Sequence, residues 1–196
     1  MFCMTICGME LAIDFTAPAL LALLSLYLPR RAFYGMCAAC VLHEGAHFLM
    51  ILLLGQRPSL LRVSATGLRL EMRQDALCPL PVLSLILLAG AAANLLAGMC
   101  FSVLNMPEAV QAHVSLGLFN LLPYRSTDGG TLLYAVLEHR LIAAHPARLR
   151  EIGRVIFFCT TLLLAALLLL TGCRNLSAWG MLLFMTASEL PERCGK

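Results

Sequence analysis

Val41-Leu42-His43-Glu44-Gly45-Ala46-His47-Phe48 lies in the middle of an apolar stretch running from Ala32 to Leu54. A helix needs about 20 predominantly apolar residues to cross a bilayer, so this stretch reads as a membrane span. In a helix, residues four apart share a face, which puts His43 and His47 side by side with Glu44 next to them. An ionisable residue at bilayer depth costs roughly 2.5 kcal/mol or more on insertion scales, so three on one turn require a partner. The H-E-x-x-H spacing supplies one: two imidazoles hold a single metal ion, and the intervening carboxylate polarises water. The bland alternative is a His pair hydrogen-bonded to neighbouring helices.

The rest of the chain has the same character. Of its 196 residues, 60% are hydrophobic and only 13% charged, against about 25% charged in a soluble domain, which excludes an ordinary water-soluble globule. The net charge is +3, spread as arginines between apolar stretches without interleaved aromatics; nucleic acid is therefore not expected as a partner. The nine cysteines are odd in number and lie mostly in or beside apolar runs, so they read as small helix residues without disulfide bonds, the pair Cys37 and Cys40 included.

Two imidazoles do not complete a catalytic zinc site, which takes three protein ligands and one open position. Asp128 is the candidate for the third, in Asn120-Leu121-Leu122-Pro123-Tyr124-Arg125-Ser126-Thr127-Asp128-Gly129-Gly130. Pro123 ends the preceding helix, and the glycine pair lets the backbone bend to turn a carboxylate inward. Taken alone, Asp128 is equally well read as the N-cap of a following helix.

These residues carry a resemblance. His43-Glu44-Gly45-Ala46-His47 followed by Asn120-x-x-Pro123-x-x-x-x-Asp128-Gly129 resembles the paired signature of the site-2 protease family of intramembrane zinc metalloproteases. Ala89-Gly90-Ala91-Ala92-Ala93-Asn94-Leu95 is similar to that family's glycine-and-asparagine helix, with Ala92 at a position where proline is frequent. Ser126-Thr127 and Thr131 also depart from the family's usual Pro-Leu and basic residue. The apolar runs resemble the membrane core of the branch that includes the sporulation protease releasing a sigma factor. The resemblance implies one Zn2+ per chain on His43, His47 and Asp128, with Glu44 as the catalytic base. It places Asn94 and Asn120 beside the site, to bind substrate backbone or support the intermediate; interhelical packing of Gly90, Asn94 and Gly98 accounts for Asn94 equally well. It also implies a membrane-protein substrate and hydrolysis of a peptide bond in or near its transmembrane segment, possible release of a regulatory protein included. Two other classes stand against this reading: a metal or ion transporter using the same ligands, and an inactive relative that binds membrane segments without cutting them.

The expected fold is an all-α polytopic membrane protein forming one domain over residues 1–196, with a catalytic core at 32–130 and no PDZ or CBS domain. Six spans are expected, from Leu11 to Pro29, Ala32 to Leu54, Leu80 to Leu104, Ala109 to Tyr124, Val155 to Gly172 and Leu176 to Ser188. With six spans, eleven of the fourteen Lys and Arg fall on the side holding the N-terminus, the loop Gly55 to Ala76, the segment Arg125 to Arg154 and the C-terminus. Positive residues concentrate on the cytoplasmic side, so the site is expected to face the cytoplasm, in the cell membrane of a bacterium. Alternation in Leu61 to Met72 predicts a surface β-hairpin turning at Thr66-Gly67, with Leu61, Val63 and Ala65 opposite Met72, Leu70 and Leu68, and Arg62 paired with Glu71. Its outer edge is expected to present substrate as an extended strand. His113, His139 and His145 have no ligand-like spacing and read as polar surface or interface residues.

Overall fold

The computed structural model describes residues 2–6, 9–56, 58–64, 67–72, 78–141, 146–172 and 176–189. The chain forms two compact units, Met1–Leu118 and Phe119–Lys196.

The first unit opens with strands β1 (Phe2–Ile6) and β2 (Met9–Ile13), followed by helices α1 (Thr16–Tyr27) and α2 (Arg30–Leu53). Strands β3 (Pro58–Ser64) and β4 (Gly67–Met72) come next, then α3 (Leu80–Val103) and α4 (Pro107–Asn120), within whose last turn the unit ends. The strands form a single sheet in the order β1-β2-β3-β4, with β2 and β3 parallel and the outer pairs antiparallel. Parallel neighbours need a crossover connection, here made by α1 and α2 together. Along α2 the buried residues Ala39, His43, His47 and Ile51 recur every fourth position, a single stripe. Leu49, Leu52 and Leu53 on the same helix are exposed, as lipid-facing residues are. The matching face of α3 is built from Ile86, Gly90, Ala91, Asn94 and Gly98. Small residues there let helices approach: a Cβ at Gly98 would come within 2.6 Å of Val114 on α4.

The second unit contains α5 (Asp128–Leu141), α6 (Pro146–Leu170) and α7 (Leu176–Glu189). Its core gathers Tyr124, Phe157 and Met185. The Tyr124 ring meets Phe157 edge-on at 5.8 Å, and its hydroxyl is 3.1 Å from the Thr161 hydroxyl, so a large aromatic is buried with its polar end satisfied. A Cβ at Gly153 would strike the Tyr134 ring at 2.7 Å, so glycine is what allows α6 to lie against α5. Arg125 lies over the Tyr134 ring, 4.3 Å from its centroid.

The expectations are refined at the spans and at the hairpin. Among the described residues, three helices are long and apolar enough to cross a membrane, Arg30–Leu53, Leu80–Val103 and Glu151–Leu170; the six expected spans are not all matched by helices of that length. The chain is thus a membrane protein, but α1, α4 and α7 have only 12, 14 and 14 residues, and a helix rises about 1.5 Å per residue against a hydrocarbon layer of about 30 Å. The expected first span begins inside the sheet: Leu11–Ile13 belong to β2 and the helix starts at Thr16, because a short apolar run fits a strand as well as a helix. The segment from Arg125 to Arg154 contains α5 and the start of α6, since hydropathy marks the lipid-exposed part of a helix and not its full length.

The hairpin is also part of a larger sheet, and its register differs by two residues: Leu61 pairs with Leu70, Arg62 with Arg69, Val63 with Leu68 and Ser64 with Gly67. Gly67 closes the ladder instead of sitting in the turn, so the two-residue connection is Ala65-Thr66, which lies outside the described residues. A shift of two keeps every residue on its predicted face. Cys37 and Cys40 are free thiols, as are Cys3, Cys78, Cys100 and Cys159.

Candidate metal centre

His43 and His47 lie one turn apart on the buried stripe of α2, 4% and 8% exposed. Their Nε2 atoms are 3.1 Å apart, with the rings edge-to-face. Tetrahedral zinc with bonds of about 2.0–2.1 Å to nitrogen needs ligand nitrogens about 3.3 Å from each other, so the spacing fits a shared ion closely.

The orientation of each ring is set from α3. Nδ1 of His47 donates to the Ile86 carbonyl at 2.7 Å. That carbonyl has a second lone pair beyond its helical bond, reachable because the residue one turn on is Gly90. A Cβ at Gly90 would lie 2.4 Å from His47 Nε2 and 2.7 Å from His43 Cε1. Glycine is therefore required here for close approach and not for backbone conformation. A backbone carbonyl only accepts, so the proton of a neutral His47 is held on Nδ1 and its Nε2 is left bare for a metal.

Asn94 sets the orientation of His43. Its amide Nδ2 is 3.3 Å from His43 Nδ1, and its Oδ1 is 3.0 Å from His113 Nδ1 on α4. Asn94 is 0% exposed and His113 2%. Both amide atoms of Asn94 are engaged by imidazoles, one from α2 and one from α4. Glu44 is half-buried on the adjoining flank of α2.

Asp128 and Asn120 belong to the second unit. Asn120 is the half-buried last residue of α4, and the chain then folds through a tight turn into α5. The Thr127 hydroxyl reaches the carbonyls of Leu122 and Tyr124, the latter at 2.8 Å, and accepts from the Gly130 N–H at 3.3 Å. Thr127 is therefore the helix N-cap, and Asp128 is the first helical residue, with a half-buried carboxylate that is not needed for that cap. The glycine pair has a different purpose from the bend expected of it, because neither glycine has positive φ. A Cβ on Gly129 would meet the Leu121 carbonyl oxygen at 2.4 Å, and one on Gly130 would collide with the Tyr124 carbonyl. The turn packs directly onto the first turn of α5, and only glycine leaves room.

The structure thus joins His43, His47 and Asn94 into one hydrogen-bonded group and adds His113, which the sequence reading set aside. The signal that would have found it is His113-x-x-x-Gly117, a polar and small pair on one face of an apolar helix and the same device as Gly90 and Asn94. His139 is exposed on α5, as expected, and His145 lies outside the described residues.

No described protein family matches the sequence, and no curated protein matches it. Among solved structures, the fold is similar to the Site-2 Protease from Methanocaldococcus jannaschii, with a TM-score of 0.64 over 100% of this chain and 97% of that one. The two are 19% identical, so the likeness is one of fold.

Proposed function

We propose that the protein is an intramembrane zinc endopeptidase of the site-2 protease family, cutting a membrane-anchored substrate in or near its transmembrane segment. The observation carrying this reading is the buried imidazole pair of His43 and His47, with Nε2 atoms 3.1 Å apart on a membrane-spanning helix beside Glu44. The fold likeness supports it. Asp128 is the third ligand in this reading, its backbone fixed by the Thr127 cap and the glycine pair.

Zinc, when bound, would supply Lewis-acid polarisation of the scissile carbonyl and a lowered water pKa. The chain's own groups do the rest. Glu44 takes the proton of the attacking water and returns it to the leaving amine. His47 and His43 are held in ligating orientation by Ile86 and Asn94. A helical substrate must unwind locally before its carbonyls are accessible, and an exposed sheet edge offers partners for the freed backbone groups.

The test is metal content and cleavage of a membrane-anchored reporter by the purified full chain in micelles. Glu44→Gln is expected to keep zinc while losing about 10²–10⁴-fold in turnover. His47→Ala and Asp128→Ala are expected to lose both. Cleavage unaffected by Glu44→Gln would remove the protease reading. Zinc uptake into vesicles that survives Glu44→Gln would favour the transporter.

A further inference from the structure

His47, His43, Asn94 and His113 form a continuous hydrogen-bonded chain across three helices, ending at the Ile86 carbonyl. We propose that His113 is a positioning residue for the metal: through the Asn94 amide it adopts the proton arrangement that zinc imposes on His43, so that loading the site flips the His113 tautomer. This rests on the zinc reading of His43 and His47.

The argument is proton counting along fixed neighbours. A neutral His43 ligating through Nε2 carries its proton on Nδ1. That N–H faces Asn94 at 3.3 Å and needs an acceptor, so Asn94 turns Oδ1 toward it. Nδ2 of Asn94 then takes the place where Oδ1 now lies, facing His113 Nδ1, which must be bare; His113 holds its proton on Nε2. Without zinc, His43 Nε2 lies 3.1 Å from the bare Nε2 of His47 and must be the donor. Its Nδ1 is then the acceptor, Asn94 donates Nδ2 to it, and Asn94 Oδ1 accepts from His113 Nδ1–H.

Both bonds of the Asn94 amide reverse together, without change of net charge, while His47 keeps its Nδ1–H on the Ile86 carbonyl. Only an amide permits this, since its oxygen and nitrogen are nearly isosteric and exchange places by rotation. The burial of Asn94 and His113 leaves no water to take over either end. Phe101 packs on the His113 ring, centroids 5.1 Å apart.

The experiment is nuclear magnetic resonance of the full chain in micelles with isotope-labelled imidazole nitrogens, zinc-free and zinc-loaded. The His113 signals are assigned by their absence in His113→Gln. The expected result is a His113 Nδ1–H form without zinc and an Nε2–H form with it. An unchanged His113 tautomer, while the His43 and His47 signals shift on zinc addition, overturns the relay and leaves the zinc reading standing. If the His43 and His47 signals do not respond, both fall. Zinc competition gives a second readout: His113→Phe should weaken binding about 10–100-fold, as loss of an outer partner does. His113→Gln, which donates or accepts at will, should restore most of that loss. Adding His113→Phe to Asn94→Ala should cost nothing more, because His113 acts through Asn94; additive losses would overturn the proposal.

Discussion

Gly90 shows how little a residue needs to carry in order to decide a site. Its missing side chain is what lets two imidazoles and a helix backbone share one space, with a Cβ there 2.4 Å from His47 Nε2. Gly90→Ala is therefore expected to tilt both rings off a common point and reduce zinc affinity at least tenfold, on the scale of losing an outer partner. The substitution favours helix by up to about 1 kcal/mol elsewhere, so retained helicity by circular dichroism with lost zinc is the pattern to look for. Full zinc occupancy in Gly90→Ala would mean that the rings move aside freely. His43, Glu44 and His47 were legible because their spacing is a property of one helix. His113 was not, because its partner Asn94 is on another helix, and the local pair of His113 and Gly117 marks a packed face without naming that partner.

At the scale of elements, the sheet ends at β1 and β4, so that β4 is the outer strand of the hairpin. The Asp14 N–H donates to the Val63 carbonyl at 2.8 Å, so the backbone groups of Val63 point toward β2. Successive residues of a strand alternate, so Arg62 and Ser64 bond to β4, and their partners Arg69 and Gly67 point back. Leu68 and Leu70 then direct their N–H groups to the outer side of β4, the terminal strand of the sheet among the described residues. If substrate adds to this edge, Leu70→Pro removes one outward donor and leaves the β3–β4 ladder whole. Turnover of the reporter is expected to fall about tenfold, one hydrogen bond of roughly 1 kcal/mol or somewhat more, with zinc content unchanged. Arg69→Pro should instead break the ladder and lower thermal stability. Unaltered cleavage by Leu70→Pro would show that the edge is not used.

For the whole molecule, the sheet places the N-terminal strands beside the segment that follows α2. Facing the cytoplasm is part of the proposed reading, and Cys78, between the sheet and α3, reports on it. In a variant retaining Cys78 and lacking the other eight of the nine cysteines, an impermeant maleimide should label inverted vesicles and not intact cells. Burial pushes the Cys78 thiol up, so labelling should accelerate with rising pH as the thiolate forms. Labelling of intact cells alone would reverse the topology.

What the sequence determined by itself was whatever depends on spacing within one element or on bulk composition. Membrane residence follows from 60% hydrophobic and 13% charged residues, and the imidazole pair from a four-residue interval on one helix. The faces of β3 and β4 follow from alternation, which a two-residue slip in register does not disturb. Tertiary structure alone decided whatever depends on partners distant in the chain. β2 is a strand because β3, some fifty residues on, offers a parallel edge; Asn94 is buried because imidazoles from α2 and α4 take both ends of its amide. Thr127 caps α5 because the turn brings its hydroxyl to the Gly130 N–H. In each case the local sequence permits more than one state, and the hydrogen bond or packing that selects among them exists only once the chain has folded.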